Sequence, residues 1–535
     1  MAELTKSPSG AAHRSGWLRT IIELVACFVI LVTMFRTFLA GAYMIETGSM
    51  APCLLGKHRA AVCPSCRFSF AVEGTGSVAA AVCPNCGRGG IAYQELPESY
   101  GDHLLVHRGT FEVRSPRRWE VIVFQNPNKL RQAYVKRVVG LPGESVEVKG
   151  GDVYVSGKIQ AKTYATQCGV RIPVYDHDLR PPDDDDEWRP RWIIDRPAGG
   201  WRAEGGAFHF TPGKPSSDQW EWVHYRNWIR RGGFHATSVP LTHWPESLDR
   251  LQGGFKPLRY DAESQTLVCR GAMPASLRDQ ILAGVDDVES QSAIERLYEA
   301  SHIAPIVDIY GYNGGRDGEG HHEVRDLMIA LRARWGEGNG EFALAMTDGT
   351  HEFRCVFDRK TRTVQLIEEQ TSRTLRTATL DDLLFTKGAI IELSLMDRQV
   401  LMAIDGKPAF EPWSFPGTTE QGPTPWQPVR FAARGGKVDI DAIKLYRDVY
   451  YTSDLGRRGT AGPVQLLDNE FFVLGDNSPV SKDSRSWSGK AVLTGDLLVG
   501  KPLVVHVPSR KQRIRIGGLQ QEIRIPEFSQ MRYIH

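Results

Sequence analysis

The chain has almost no excess of charge. Its 65 Lys and Arg stand against 63 Asp and Glu, a formal net charge of +2, so nothing in it asks for a nucleic-acid partner. It also has no disulfide framework: the nine cysteines, Cys27, Cys53, Cys63, Cys66, Cys83, Cys86, Cys168, Cys269 and Cys355, are odd in number and widely spaced outside two C-x-x-C pairs. Only one strongly apolar stretch occurs. Ser49, which follows it on a Gly turn, is not in a G-x-S-x-G elbow, so the hydrolase sheet with its His triad is not indicated. What is present is the composition of a folded protein, 41% hydrophobic and 24% charged. At 535 residues it exceeds one ordinary core, and about 150 residues per domain suggests three or four units.

The apolar stretch runs from Leu24 to Ile45 with a single charge, Arg36, long enough to cross a bilayer as a helix. Arg36 is close enough to the outer end to snorkel into the headgroups. The preceding residues 1–16, with Lys6, His13 and Arg14, read as a flexible tail that favours an inside N-terminus and places everything after Ile45 outside the cytoplasm. A cleavable signal peptide is the alternative, but its core of roughly 7 to 15 residues is shorter than this run.

Cys63-Pro64-Ser65-Cys66 and Cys83-Pro84-Asn85-Cys86-Gly87, sixteen residues apart, have the spacing of a zinc ribbon. Four thiolates leave no open position, so one structural zinc is expected and none for catalysis. Two disulfides, which an oxidising outer compartment favours, are the other reading. From Asp102 the chain reads as antiparallel β: 103–107, 119–124, 133–141, 145–149 and 152–155. Residues from about 160 to 450 hold ten of the thirteen tryptophans and an acidic loop, Asp183 to Glu187. Their later strands, with the Asp405-Gly406 hairpin step, suggest a β-sandwich. The run Asp439 to Tyr446 looks like the closing strand of concanavalin-like jelly rolls. One helix is expected over 276–301.

Three further stretches carry chemistry. The first is Ile45-Glu46-Thr47-Gly48-Ser49-Met50-Ala51-Pro52, the second Tyr134-Val135-Lys136-Arg137 running on to Glu144, and the third Leu474-Gly475-Asp476-Asn477-Ser478-Pro479-Val480-Ser481-Lys482-Asp483-Ser484-Arg485. In content and order they resemble the signature boxes of the type I signal peptidases, membrane-bound Ser/Lys proteases that remove signal peptides from exported proteins. A serine hydroxyl needs a base, and the resemblance makes Ser49 the nucleophile and Lys136 that base. Period-2 alternation sets Tyr134, Lys136 and Val138 on one strand face. Burial there lowers a lysine pKa toward the range in which it accepts a proton.

The resemblance further implies that Ser481 hydrogen-bonds the lysine amine and that Asp483 pairs with Arg485. Gly475, Asp476 and Asn477 would form the turn beneath, and the Ser49 N–H and Thr47 hydroxyl would face the oxyanion. Cys53 stands where the family has Thr. The implied substrates are preproteins with signal peptides, with membrane lipid and export machinery as partners, at the inner (plasma) membrane with the catalytic part on the outer (periplasmic) side. The expected fold is mainly β. Its order is a tail (1–16), a single transmembrane anchor (17–45), core (46–57), zinc ribbon (58–92), core (93–160), sandwich insertion (161–450), core (451–515) and a tail (516–535). Rival readings are another Ser/Lys processing peptidase, of the self-cleaving repressor or conjugation type, and a membrane-anchored binding protein with an inert core.

Overall fold

The computed structural model describes residues 13–34, 40–74, 79–213, 219–230, 235–245, 258–314, 322–417, 422–453, 459–487, 491–506, 509–516, 519–526 and 531–534. Lys6 and Arg36 lie outside these. The protein is mainly β, with one long apolar helix at its start.

That helix is His13–Met34, earlier than the sequence pattern suggested. Its Trp17–Met34 part is long and apolar enough to cross a membrane, and every side chain in it is exposed. Ala40–Met44, expected as the outer end of the span, is instead a strand paired antiparallel with His103–His107. The difference has a packing cause: Ile45 at its end is buried with Leu104 and Val106, so this apolar stretch is used by a protein core rather than by lipid.

The strand Ala40–Met44 opens an eight-stranded antiparallel sheet. It runs through His103–His107, Leu498–Val505, Val121–Asn126, Lys129–Gly140 and Glu470–Leu474 to Leu493–Thr494, and Arg532–Tyr533 adds to Leu498–Val505. Strands from both ends of the chain therefore interleave. A four-stranded sheet follows from Ser145–Lys149, Asp152–Val155, Lys158–Ile159 and Val464–Gln465. Strands His58–Val62 and Ser69–Glu73 carry the first cysteine knuckle, the second lies between the bridged Ala81 and Ile91, and Ser509–Ile516 with Leu519–Pro526 extends the strands' sheet through Glu98–Ser99.

The middle of the chain is organised by two long strands, Leu327–Thr347 and Val429–Arg447, paired along their lengths. Register slips where Gly338 (φ 96°) meets Gly436, a backbone conformation that glycine accepts freely. Before the slip, Leu327–Thr347 pairs with Ala389–Met396; after it, with Glu352–Asp358. Side chains from both halves, Ile329 and Leu331 from the first and Phe342 and Leu344 from the second, meet in one buried core. That is a β-sandwich, with one sheet folded over itself. The Asp405-Gly406 turn forms as expected, both residues left-handed. The single helix expected over 276–301 is two, Ala275–Leu282 and Val288–Ser301. Asp287 caps the second by accepting from Ser290 N–H and so starts a new helix.

Candidate functional site

Ser49 sits in a tight loop whose backbone is tied at several points. Ala51 N–H donates to the Gly48 carbonyl at 3.0 Å, Leu54 N–H to Met50 at 2.8 Å and Lys57 N–H to Glu46 at 3.1 Å. Met50 and Leu54 anchor it in a core shared with Val121 and Val135. Asp102 closes the loop, accepting from Leu55 N–H at 2.9 Å and from Arg532 at 2.6 Å. Within the described residues the Ser49 N–H makes no hydrogen bond, and Thr47 is exposed beside it.

Lys136 lies inside the strand Lys129–Gly140, 2% exposed. Its Nζ donates to Ser49 Oγ at 2.7 Å and to the Val135 carbonyl at 2.9 Å, and lies 5.3 Å from the Tyr134 ring centroid. Burial pushes its pKa from the ordinary 10.5 down to about 8, against the opposing pull of Asp483 and Asp476. Alternation along this strand was expected to separate Lys136 from Arg137. Both are buried, because other elements pack on each face.

The third stretch wraps this pair. Asp483 takes Arg485 Nε at 2.9 Å and a terminal nitrogen at 2.7 Å, and both side chains are fully enclosed. Although burial raises its pKa, Arg485 holds the Asp483 carboxyl below the usual carboxylate range. Asp483 also accepts from Gly475 N–H at 3.0 Å. Gly475 has to lack a side chain: a Cβ there would lie 2.2 Å from Ser481 Oγ and 2.4 Å from the Ser49 carbonyl oxygen.

Ser481 departs from the implied arrangement. Its buried hydroxyl packs against Gly475 on the side of the Asp483 carboxylate, while the bonds of Lys136 go to Ser49 and Val135.

Several supports were not legible in the motifs. Asp476 forms a bidentate pair with Arg137, at 2.9 and 2.7 Å, with both groups 1% exposed. Cys53 Sγ accepts weakly from the same guanidinium at 3.7 Å, and burial, with the nearby Asp476 charge, pushes its thiol up to about 11. Asn477 donates from its side chain to the Gly48 carbonyl at 3.0 Å and from its backbone to the Ser49 carbonyl at 3.1 Å. Tyr310, Tyr312 and Asn313, from the middle of the chain, reach this loop as well: Tyr310 Oη donates to the Asp476 carbonyl and Tyr312 Oη to that of Lys57, each at 2.9 Å.

The four cysteines of the two C-x-x-C pairs converge. All are buried thiols, with Sγ atoms 3.6 Å apart for Cys63 and Cys86 and for Cys66 and Cys83. Four sulfurs at about 2.3 Å from a central ion stand about 3.8 Å apart. The spacing fits a tetrahedral metal site and is far beyond the roughly 2.05 Å of a disulfide. Left-handed Arg67 and Gly87 form the two knuckles, whose N–H groups return to the Cys63 and Cys83 carbonyls. The cluster can therefore hold one structural metal ion. Asp152, Asp326 and Asp397 also converge, within 4.8 Å, where the core meets the sandwich, but Lys162 already pairs with Asp397 at 2.7 Å and with neighbouring Asp448 at 2.6 Å.

Comparison with known proteins finds similarity over part of the chain. The family described as "Signal peptidase, peptidase S26" matches residues 18–186. A probable signal peptidase I-2 of Synechocystis is 34% identical over 89 residues, 16% of this chain and 39% of that protein. A signal peptidase I of Leptolyngbya laminosa is 41% identical over 71 residues, 12% and 34% of the two chains. The chain thus spans under two fifths of the length of these curated relatives. Among solved structures, a Bacillus subtilis protein with a galectin-like fold is similar over 23% of this chain and 71% of its own, at 14% identity and a TM-score of 0.19. The stretch that is similar to the S26 signal peptidase family, residues 18–186, carries both Ser49 and Lys136.

Proposed function

We propose that the chain is a membrane-bound serine endopeptidase of the signal peptidase I type, with Ser49 as nucleophile and Lys136 as general base. The observation that carries this reading is the 2.7 Å contact between Lys136 Nζ and Ser49 Oγ, made by an amine whose burial depresses its pKa. An ammonium cannot take the hydroxyl proton, whereas an amine titrating near 8 is available as a base close to neutrality. In the reading, Ser49 Oγ attacks the scissile carbonyl carbon as its proton passes to Lys136, and Lys136 returns that proton to the departing amine. Water, deprotonated by Lys136, then hydrolyses the acyl-enzyme. The Ser49 N–H, with the Thr47 hydroxyl, would face the oxyanion.

The support for this site comes from the third stretch. Asp483 and Arg485 would fix the loop, and Gly475, Asp476 and Asn477 would fill the space beneath it, with Ser481 beside the lysine. Cys63, Cys66, Cys83 and Cys86 would hold one structural zinc, which would supply folding free energy and no chemistry. The chain would be anchored in the inner (plasma) membrane by its apolar helix, with its N-terminus cytoplasmic and its catalytic part on the periplasmic side. Substrates would be preproteins bound in extended form, with small side chains at the third and first positions before the cut. The units of the chain would be those inferred from its sequence, with residues 161–450 a sandwich insertion between two parts of the core.

The test is cleavage of an exported precursor by the purified full chain in detergent. Wild type should cut it and Ser49→Ala should not. Equal cleavage by the two would rule the assignment out.

A further inference from the structure

Gly48 is the most pliable residue of the serine loop, and it is held from three sides. Its carbonyl accepts from Ala51 N–H at 3.0 Å and from Asn477 Nδ2 at 3.0 Å. Its open face lies against the Tyr312 ring, so close that a Cβ would fall 1.9 Å from a ring carbon. A trans peptide sets C=O and the following N–H in opposite directions. Whatever fixes the Gly48 carbonyl therefore fixes where the Ser49 N–H points.

Two of these three restraints trace to a segment the serine peptidase motifs do not contain. The turn Gly311–Asn313 follows Tyr310 between the helix Val288–Ser301 and the strand Leu327–Thr347. Tyr312 supplies the ring. Asn313, 3% exposed, exchanges two hydrogen bonds with the fully buried Asn477: Asn313 Nδ2 donates to Asn477 Oδ1 at 3.0 Å, and Asn477 Nδ2 donates to Asn313 Oδ1 at 2.8 Å. A primary amide has two donors and one acceptor oxygen. Asn477 uses one proton and its oxygen on Asn313, which leaves the other proton for Gly48. Without Asn313 the buried amide of Asn477 would have unpaired groups and would turn to satisfy them, and the Gly48 carbonyl would lose a fixed donor. The turn is itself seated, with Tyr310 on the Asp476 carbonyl at 2.9 Å and Gly311 against Pro84 of the cysteine ribbon.

We propose that the Gly311–Asn313 turn is a positioning element of the peptidase site: Asn313, acting through Asn477, and Tyr312, packed on Gly48, hold the Gly48–Ser49 peptide so that the Ser49 N–H faces the substrate oxygen. The proposal rests on the reading of Ser49 as nucleophile and of its N–H as an oxyanion donor. It makes the middle segment a working part of the enzyme, since the orienting groups come from there. Lys136 makes no hydrogen bond with the turn, so the effect is on oxyanion stabilisation and leaves the base untouched.

The experiment compares wild type, Asn313→Ala and Ser394→Ala as full chains in detergent, with Ser49→Ala as the blank. Ser394 donates to Gln167 at 2.7 Å inside the sandwich, and its loss measures a destabilised middle segment alone. Asn313→Ala should lower kcat by about 10- to 100-fold, short of the roughly 10²- to 10³-fold for removing an oxyanion donor outright. KM should hold, as should the pH of half-maximal activity on the acid side. Ser394→Ala should lower Tm without that loss of kcat. If Asn313→Ala does not fold, Tyr312→Leu, which keeps an apolar cover but not the flat ring, is read by the same criteria. A kcat within twofold of wild type, a loss matched by Ser394→Ala, or a shift of the acid limb would each overturn the proposal. Cleavage by Ser49→Ala would instead overturn the assignment of the nucleophile.

Discussion

Replacing Lys136 should stabilise the protein near neutral pH and destabilise it in alkali. Lys136 is 2% exposed, and its pKa falls from 10.5 to about 8, chiefly through burial. At about 1.36 kcal/mol per pH unit, that difference amounts to roughly 3 kcal/mol. The sign follows from proton linkage. Between pH 8 and 10.5 the unfolded chain binds the proton more readily than the folded one, so stability rises with pH through that window. Below pH 8 the folded protein carries the whole penalty, and above 10.5 none of it.

Lys136→Met keeps the length of the side chain and removes the amine. It also leaves Ser49 Oγ and the Val135 carbonyl without their bonds at 2.7 and 2.9 Å, at a cost of about 1 kcal/mol each. The balance at pH 6.5 is a gain of about 1 kcal/mol, turning at pH 11 into a loss of about 2 kcal/mol. Denaturant unfolding of the full chain in detergent at the two pH values measures both. A variant less stable than wild type by the same amount at both pH values would refute the reasoning, because the buried lysine would then carry no ionisation penalty.

Three other outcomes are expected. Activity should rise with pH through a limb with its midpoint near 8, as Lys136 loses its proton, and Lys136→Arg, which keeps its charge, should be inactive at every pH; a midpoint near 6.5 would point to a histidine instead. Elemental analysis of the purified chain should find close to one zinc per molecule, and Cys83→Ser should lower that content sharply; a metal-free wild type would refute the site. Asp476→Ala should destabilise the protein by about 3–5 kcal/mol, because it strands the buried Arg137 guanidinium, and a thermal unfolding shift equivalent to less than about 1 kcal/mol would show that the pair is not needed.

What could be read from sequence was the chemistry whose residues lie close together in the chain. The two C-x-x-C pairs meet as four buried thiols because each pair needs only a short knuckle to turn its sulfurs one way. Gly475 of the third motif stands where no side chain fits. Other features depend on what packs against a segment. Hydropathy cannot tell a lipid-facing helix from an apolar strand, so the run through Ala40–Met44 was drawn into the span although it pairs with His103–His107. Alternation along 134–138 assumes one dry and one wet face, and this strand has two dry ones. Asn313 and Tyr312 sit in a single short turn with no periodicity, and their partners at Gly48 and Asn477 are distant in sequence.

The return of the chain's last residues to the serine loop has a consequence in time. Arg532 donates to the Cys53 carbonyl at 2.9 Å and to Asp102, and Ile534 packs in the same core as Met50 and Leu54. A ribosome releases Ser49 early, whereas Lys136, then Asn313, then Asp483 and finally Arg532 follow in that order. Domains that fold as they emerge can become functional one by one, but this centre draws on nearly the whole length of the polypeptide. Ser49 therefore leaves the ribosome without its supporting contacts, and its surroundings are assembled only when synthesis has reached the strand that holds Arg532.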